Sequence, residues 1–161
     1  MRWALTRLDG ETLASGEKDV RVEPSSVLAV EALDFAHFLN DDVRRDLVFV
    51  AELWPGGPDG GPLARQTAYF VPTKHLSLVD PHIEAEVTLE DGLLRVELSA
   101  RSLARLVECR LAGADVVFGD NYFDLPAGQV TTLTAPLPAG WDLDRARAAL
   151  QMRSVYDTYA H

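Results

Sequence analysis

Apolar and polar residues alternate with a period of two along most of this chain, in short runs separated by Gly, Pro, Asp and Asn. That period puts alternate side chains on opposite faces of a strand. Residues 1–8 (MRWALTRL) predict a strand closing on an Asp9-Gly10 turn. Shorter strands are predicted at 11–14, 19–23 and 26–33, and residues 34–42 predict one helical turn with Phe35 and Phe38 directed inward. The most apolar run is 44–54 (RRDLVFVAELW). A Gly/Pro-rich loop joins it to 64–71 (ARQTAYFV), which predicts a hairpin. Because that loop leads into a strand and lacks Gly-Lys-Ser/Thr before a helix, it is not expected to cradle phosphate.

Beyond residues 72–74 (PTK) a second set of strands is expected at 83–89, 93–100, 103–111, 115–118 and 129–134. In 83–89 (IEAEVTL) the odd positions are apolar, giving one buried and one wet face, and Asp91-Gly92 is a hairpin turn. Residues 140–149 predict a short helix capped by Asp142 or Asp144, and 150–155 a closing strand. The turns recur about every 8–12 residues, and the expected fold is all-β: two immunoglobulin-like β-sandwiches in tandem, over residues 1–74 and 75–161. Residues 119–128 (GDNYFDLPAG) set two aromatics among turn formers. They predict a fixed structural corner made by Asp120, Asn121, Tyr122, Phe123 and Asp124, with the Tyr122 hydroxyl anchoring it to nearby backbone.

The run DNYFDLPAG, together with RSVYDTY at 153–159, resembles the last domain of family 2 glycoside hydrolases of the β-mannosidase type. The first half, with WALTRLDG, RRDLVFVAEL and ARQTAYFVPTKHLSL, is similar to the latter part of the preceding sandwich domain, with Trp3 at the place of a buried sandwich tryptophan. The resemblance implies an immunoglobulin-like fold for both halves and a non-catalytic accessory role. Catalysis in such enzymes belongs to a barrel that this chain does not match, and that barrel acts on terminal non-reducing β-D-mannose. The family pattern has strands upstream of the position matched by Trp3, so the first domain is expected to be incomplete at its N-terminus. The expected partners are the catalytic barrel or a second copy joined through open strand edges, which are templates for pairing.

Charge narrows the partners further. Twenty-five acids against fifteen bases give a formal net charge of −10, which repels phosphate backbones and anionic membranes. No apolar run approaches the ~20 residues needed to span a bilayer. Neither nucleic acid nor a membrane is an expected partner. Cys109 is the one cysteine, so no intrachain disulfide forms, and its alternation with Val107 and Leu111 makes it a small core residue. One cysteine and no signal-peptide pattern favour a reducing compartment such as the cytoplasm.

Candidate chemistry is sparse. His37, His75, His82 and His161 have no metal-ligand spacing, so no metal is expected, and no motif calls for a cofactor. Asp120 and Asp124 are the best carboxylate pair, but turn residues of this kind bond backbone N–H groups, and no catalytic residue is expected. Trp54 and Trp141 flank turns and are the candidate sugar contacts, with Tyr69, Tyr156 and Tyr159 as further aromatics. Exposure of the two tryptophans would make the chain a free-standing carbohydrate-binding module, the alternative to an accessory region.

Overall fold

The computed structural model describes residues 1–55 and 61–159. The chain divides into two compact units, Met1–Ser77 and Leu78–His161. All sheets are antiparallel, and the described residues include one short α-helix.

In the first unit, β1 (Arg2–Arg7), β2 (Thr12–Glu17), β3 (Leu47–Leu53) and β4 (Ala64–Tyr69) form a sheet of order β2-β1-β3-β4. Leu5, Leu47, Val48 and Val50 are buried along its two central strands. One face carries an aromatic cluster: Trp3 lies 5.7 Å from Phe35 and 6.1 Å from Phe49, and Phe35 lies 6.3 Å from Phe70. Phe35 precedes a 3-10 turn, Ala36–Phe38, in the segment expected to give one helical turn.

The expected strands at 19–23 and 26–33 do not form. Val20 and Val22 do alternate with charged residues over 19–23, but that face meets no partner strand, Val22 is 54% exposed, and Pro24 ends the run. The following run finds no sheet, and Val27 is 99% exposed. Both stretches are irregular, with a turn at 24–25 between them closed by Ser26 Oγ donating to Glu23 O at 2.6 Å. The Gly/Pro-rich loop lies partly outside the described residues, as does His161.

The second unit is a two-sheet sandwich. One sheet has the order β5-β6-β9, from β5 (Glu84–Glu90), β6 (Leu93–Ser99) and β9 (Val130–Pro136); the other has the order β10-β7-β8, from β10 (Leu150–Arg153), β7 (Ala104–Leu111) and β8 (Phe123–Leu125). Their inner faces share one core that includes Leu94, Val96, Leu98, Val107, Cys109, Leu125 and Leu133. The odd positions of β5 are mixed: Val87 is buried, while Leu89 is 42% exposed. Asp91 and Gly92 have φ of 51° and 80°, the positive pair that a tight two-residue hairpin requires. Helix α1 (Leu143–Ala149) starts at Asp142, whose carboxylate accepts from Arg145 N at 2.8 Å.

Residues 115–118 form no strand. Phe118 is buried and Val117 is 82% exposed, as alternation predicts, but the stretch is tied to β9 near its end by Gly119 N donating to Thr134 O at 2.9 Å. One bond does not make a ladder.

Candidate functional site

The corner at 119–128 is built around an irregularity in β7. The register between β7 and β8 shifts between Ala104 and Val107, and Leu106 there has φ of 51°. Such a bulge leaves strand amides facing outward without a ladder partner. The Asp124 carboxylate takes one of them, accepting from Leu106 N at 2.9 Å. Tyr122 N donates to Val107 O at 2.7 Å.

Asn121 then substitutes for a strand residue. Its Oδ1 accepts from Cys109 N at 2.7 Å and its Nδ2 donates to Cys109 O at 3.0 Å. A side-chain amide thus satisfies both backbone polar groups of one residue in mid-strand, where an unpaired buried group would be costly. On its other side Cys109 faces Met152 of β10. The thiol is 1% exposed, and burial, with the Glu108 carboxylate adding to it, pushes its pKa up to about 11. It is a core residue with little thiolate character.

Asp120 accepts from the N–H of its neighbour Asn121 at 2.7 Å. Both carboxylates of the Asp120/Asp124 pair therefore bond backbone amides. Tyr122 has φ of 60°, is 62% exposed, and donates its hydroxyl to Glu108 Oε1 at 3.2 Å. The expected anchor was a backbone group; the partner is a surface carboxylate, whose hydrogen bond raises the pKa of the phenol. With Tyr122 turned out, Phe123 is turned in and packs against the core.

The two tryptophans lie in different units and have similar surroundings. Trp54 is half-buried with the Arg2 guanidinium 4.7 Å from its ring centroid, and its Nε1 donates to Glu52 Oε2 at 3.0 Å. Trp141 is half-buried, packs against the core of its unit, and has the Arg145 guanidinium 4.3 Å from its ring centroid. In each case a cation occupies one ring face, the surface a sugar would stack on. Of the other aromatics, Tyr69 and Tyr156 are half-buried and Tyr159 is 61% exposed.

Beneath Trp54 lies a feature the sequence did not announce. The pairings Arg2↔Glu17, Arg2↔Glu52 and Glu52↔Arg65 set Glu17, Arg2, Glu52 and Arg65 in one row across all four strands. Arg65 Nε donates to Glu52 Oε1 at 2.8 Å with both side chains mostly buried, and Arg2 Nε meets Glu17 Oε2 at 3.2 Å nearer solvent. Opposite charges facing each other across strands stabilise one register.

Among the described residues, no group of three or more His, Cys, Asp or Glu side chains could hold a metal ion. His37 rests on the Phe38 ring, 3.9 Å between centroids, and His82 turns with Asp80, whose carboxylate accepts its backbone N–H at 2.9 Å. A shallow depression on the outer sheet face is lined by Glu84, Glu86, Glu97 and Ser99, and two of its carboxylates bond arginines: Glu84 with Arg101 at 3.0 Å and Glu97 with Arg95 at 2.7 Å.

Comparison with known proteins follows the same division. A family model for the Ig-fold domain of mannosidases matches residues 78–158, and one for a mannosidase Ig/CBM-like domain matches residues 1–75. Among solved structures, the crystal structure of β-D-mannosidase from Dictyoglomus thermophilum is similar over 95% of this chain, with a TM-score of 0.81 at 16% sequence identity. The chain spans 18% of that protein's length. No curated protein matches the sequence.

Proposed function

This chain belongs to the Ig-fold domains of mannosidases, with two immunoglobulin-like domains in tandem, and from that premise we propose that it is the non-catalytic accessory region of a β-mannosidase. In this reading the domains pack against the catalytic domain and stabilise it, while the complete enzyme removes terminal non-reducing β-D-mannose. The domains are proposed to run over 1–74 and 75–161, and Asp120, Asn121, Tyr122, Phe123 and Asp124 to act as a structural corner.

The observation that carries the proposal is how the polar groups of the corner are used. Asn121 and Asp124 bond the backbone of β7, and Asp120 the backbone of its neighbour. A retaining glycosidase needs two carboxylates about 5–5.5 Å apart and open to a sugar, one of them free to give and take a proton. A corner whose acids hold amides is suited to fixing a strand instead.

The test is an NMR titration of the labelled chain with β-1,4-mannobiose. The expected result is unchanged amide shifts and intact disaccharide. Localised shifts around Trp54 or Trp141 with intact sugar would make the chain a carbohydrate-binding module, and released mannose would refute the non-catalytic reading.

A further inference from the structure

Strand β5 is the edge of its sheet. The tight hairpin at Asp91 and Gly92 makes Glu90 and Leu93 a hydrogen-bonded pair, and the register continues through Thr88↔Arg95 and Glu86↔Glu97. The alternate residues Ala85, Val87 and Leu89 therefore turn their N–H and C=O groups away from β6. Such a row is what an added strand pairs with.

The middle carbonyl of that row is already taken. Arg147 of α1 donates to Val87 O twice, from Nε at 3.1 Å and from Nη2 at 2.8 Å. The helix holds the guanidinium in place: Asp142 caps it, Ala146 is fully buried beneath it, and Asp144 lies 3.5 Å from Arg147 Nη1. A strand approaching β5 has to displace this group before it can pair at Val87. The exposed side chains along β5 include Glu84, Glu86 and Glu90, so the edge repels a second copy of itself and complements a basic strand.

We infer that Arg147 is an edge plug: seated on Val87 O, it keeps β5 closed to strand addition, and its removal opens that edge to an extended basic peptide. The plug acts by occupying a hydrogen-bonding position, which separates it from a residue that merely packs the helix.

The probe is a fluorescein-labelled peptide KTKVTVK, titrated at low salt into the wild-type chain and into Arg147→Ala, Arg147→Lys and Arg145→Ala. Arg145→Ala makes the same change in net charge on the same helix without touching β5. Arg147→Ala is expected to capture the peptide at least about tenfold more tightly than wild type, the factor a single charge-assisted hydrogen bond can supply. Amide shifts should centre on Ala85, Val87 and Leu89. Arg147→Lys, which keeps the charge and can offer Val87 O one bond, should fall between the two and serves in place of Arg147→Ala should that variant fail to fold. Equal capture by wild type and both Arg147 variants, equal gains in Arg145→Ala, or shifts elsewhere would overturn the inference.

Discussion

Replacing Asn121 with Ala removes the partners of both the N–H and the C=O of Cys109 at once. The N–H loses a bond of 2.7 Å and the C=O one of 3.0 Å, in a strand whose neighbouring side chains are core. A buried backbone group left unsatisfied costs about 1–3 kcal/mol. Asn121 itself is half-buried, so water entering the gap recovers part of that cost, and the expected total is about 2–4 kcal/mol. For a domain of this size the melting temperature falls by about 4–8 °C per kcal/mol, so the shift is about 10–30 °C. Because Cys109 is the one cysteine, its reaction with a thiol reagent along a urea gradient reports the unfolding of this domain separately from the other. The neighbouring Asp120→Ala is the control: it removes a single exposed bond to the next amide and should cost no more than about 1 kcal/mol. If the two variants unfold at the same urea concentration, the carboxamide does not hold β7 and the reasoning fails.

Three further outcomes follow from the same geometry. Glu52→Ala removes the carboxylate that both Arg65 Nε and Trp54 Nε1 donate to, in a pair whose side chains are only 16% and 14% exposed, and should cost about 2–3 kcal/mol by urea denaturation followed through tryptophan emission; a loss below about 0.5 kcal/mol would make this an ordinary surface bridge. Burial raises the Cys109 thiol from 9.0 to about 11, so the folded state keeps a proton that the unfolded state releases. That contribution is complete below about pH 9 and is lost as pH rises through about 11, amounting to on the order of 2 kcal/mol; Cys109→Val should flatten this part of the alkaline stability curve, and an unchanged slope would refute it. Tyr122→Phe removes a surface hydroxyl bonded to Glu108 and should move the melting temperature by less than about 3 °C, a larger fall pointing to an anchoring role.

How much the sequence disclosed depended on the range of the interaction. The alternation in β6 and β7, the Asp91-Gly92 hairpin and the Asp142 cap rest on neighbours within a few residues, and each appears where local chemistry places it. The apolar run at 26–33 misled because propensity supplies no partner: Val27 has strand chemistry and no sheet to join. The bulge at Leu106 was hidden because nothing in Arg-Leu-Val announces a positive φ there. The charge row from Glu17 to Arg65 was equally hidden, since it exists only once four distant segments have taken their register. In the corner, the residue types were legible and the partners were not: Glu108 and Cys109 lie 14 and 12 residues from the groups they meet.

Trp3 and Gly16 face each other across β1 and β2, and a β-carbon built on Gly16 would lie 2.6 Å from the indole ring. The two positions are therefore not free to drift independently. A lineage that keeps the tryptophan admits only hydrogen opposite it, and any larger residue at position 16 has to wait until the ring has been reduced or has moved. The order of substitutions in this pair is thus set in advance by space, and the glycine marks the history of the aromatic as much as its own.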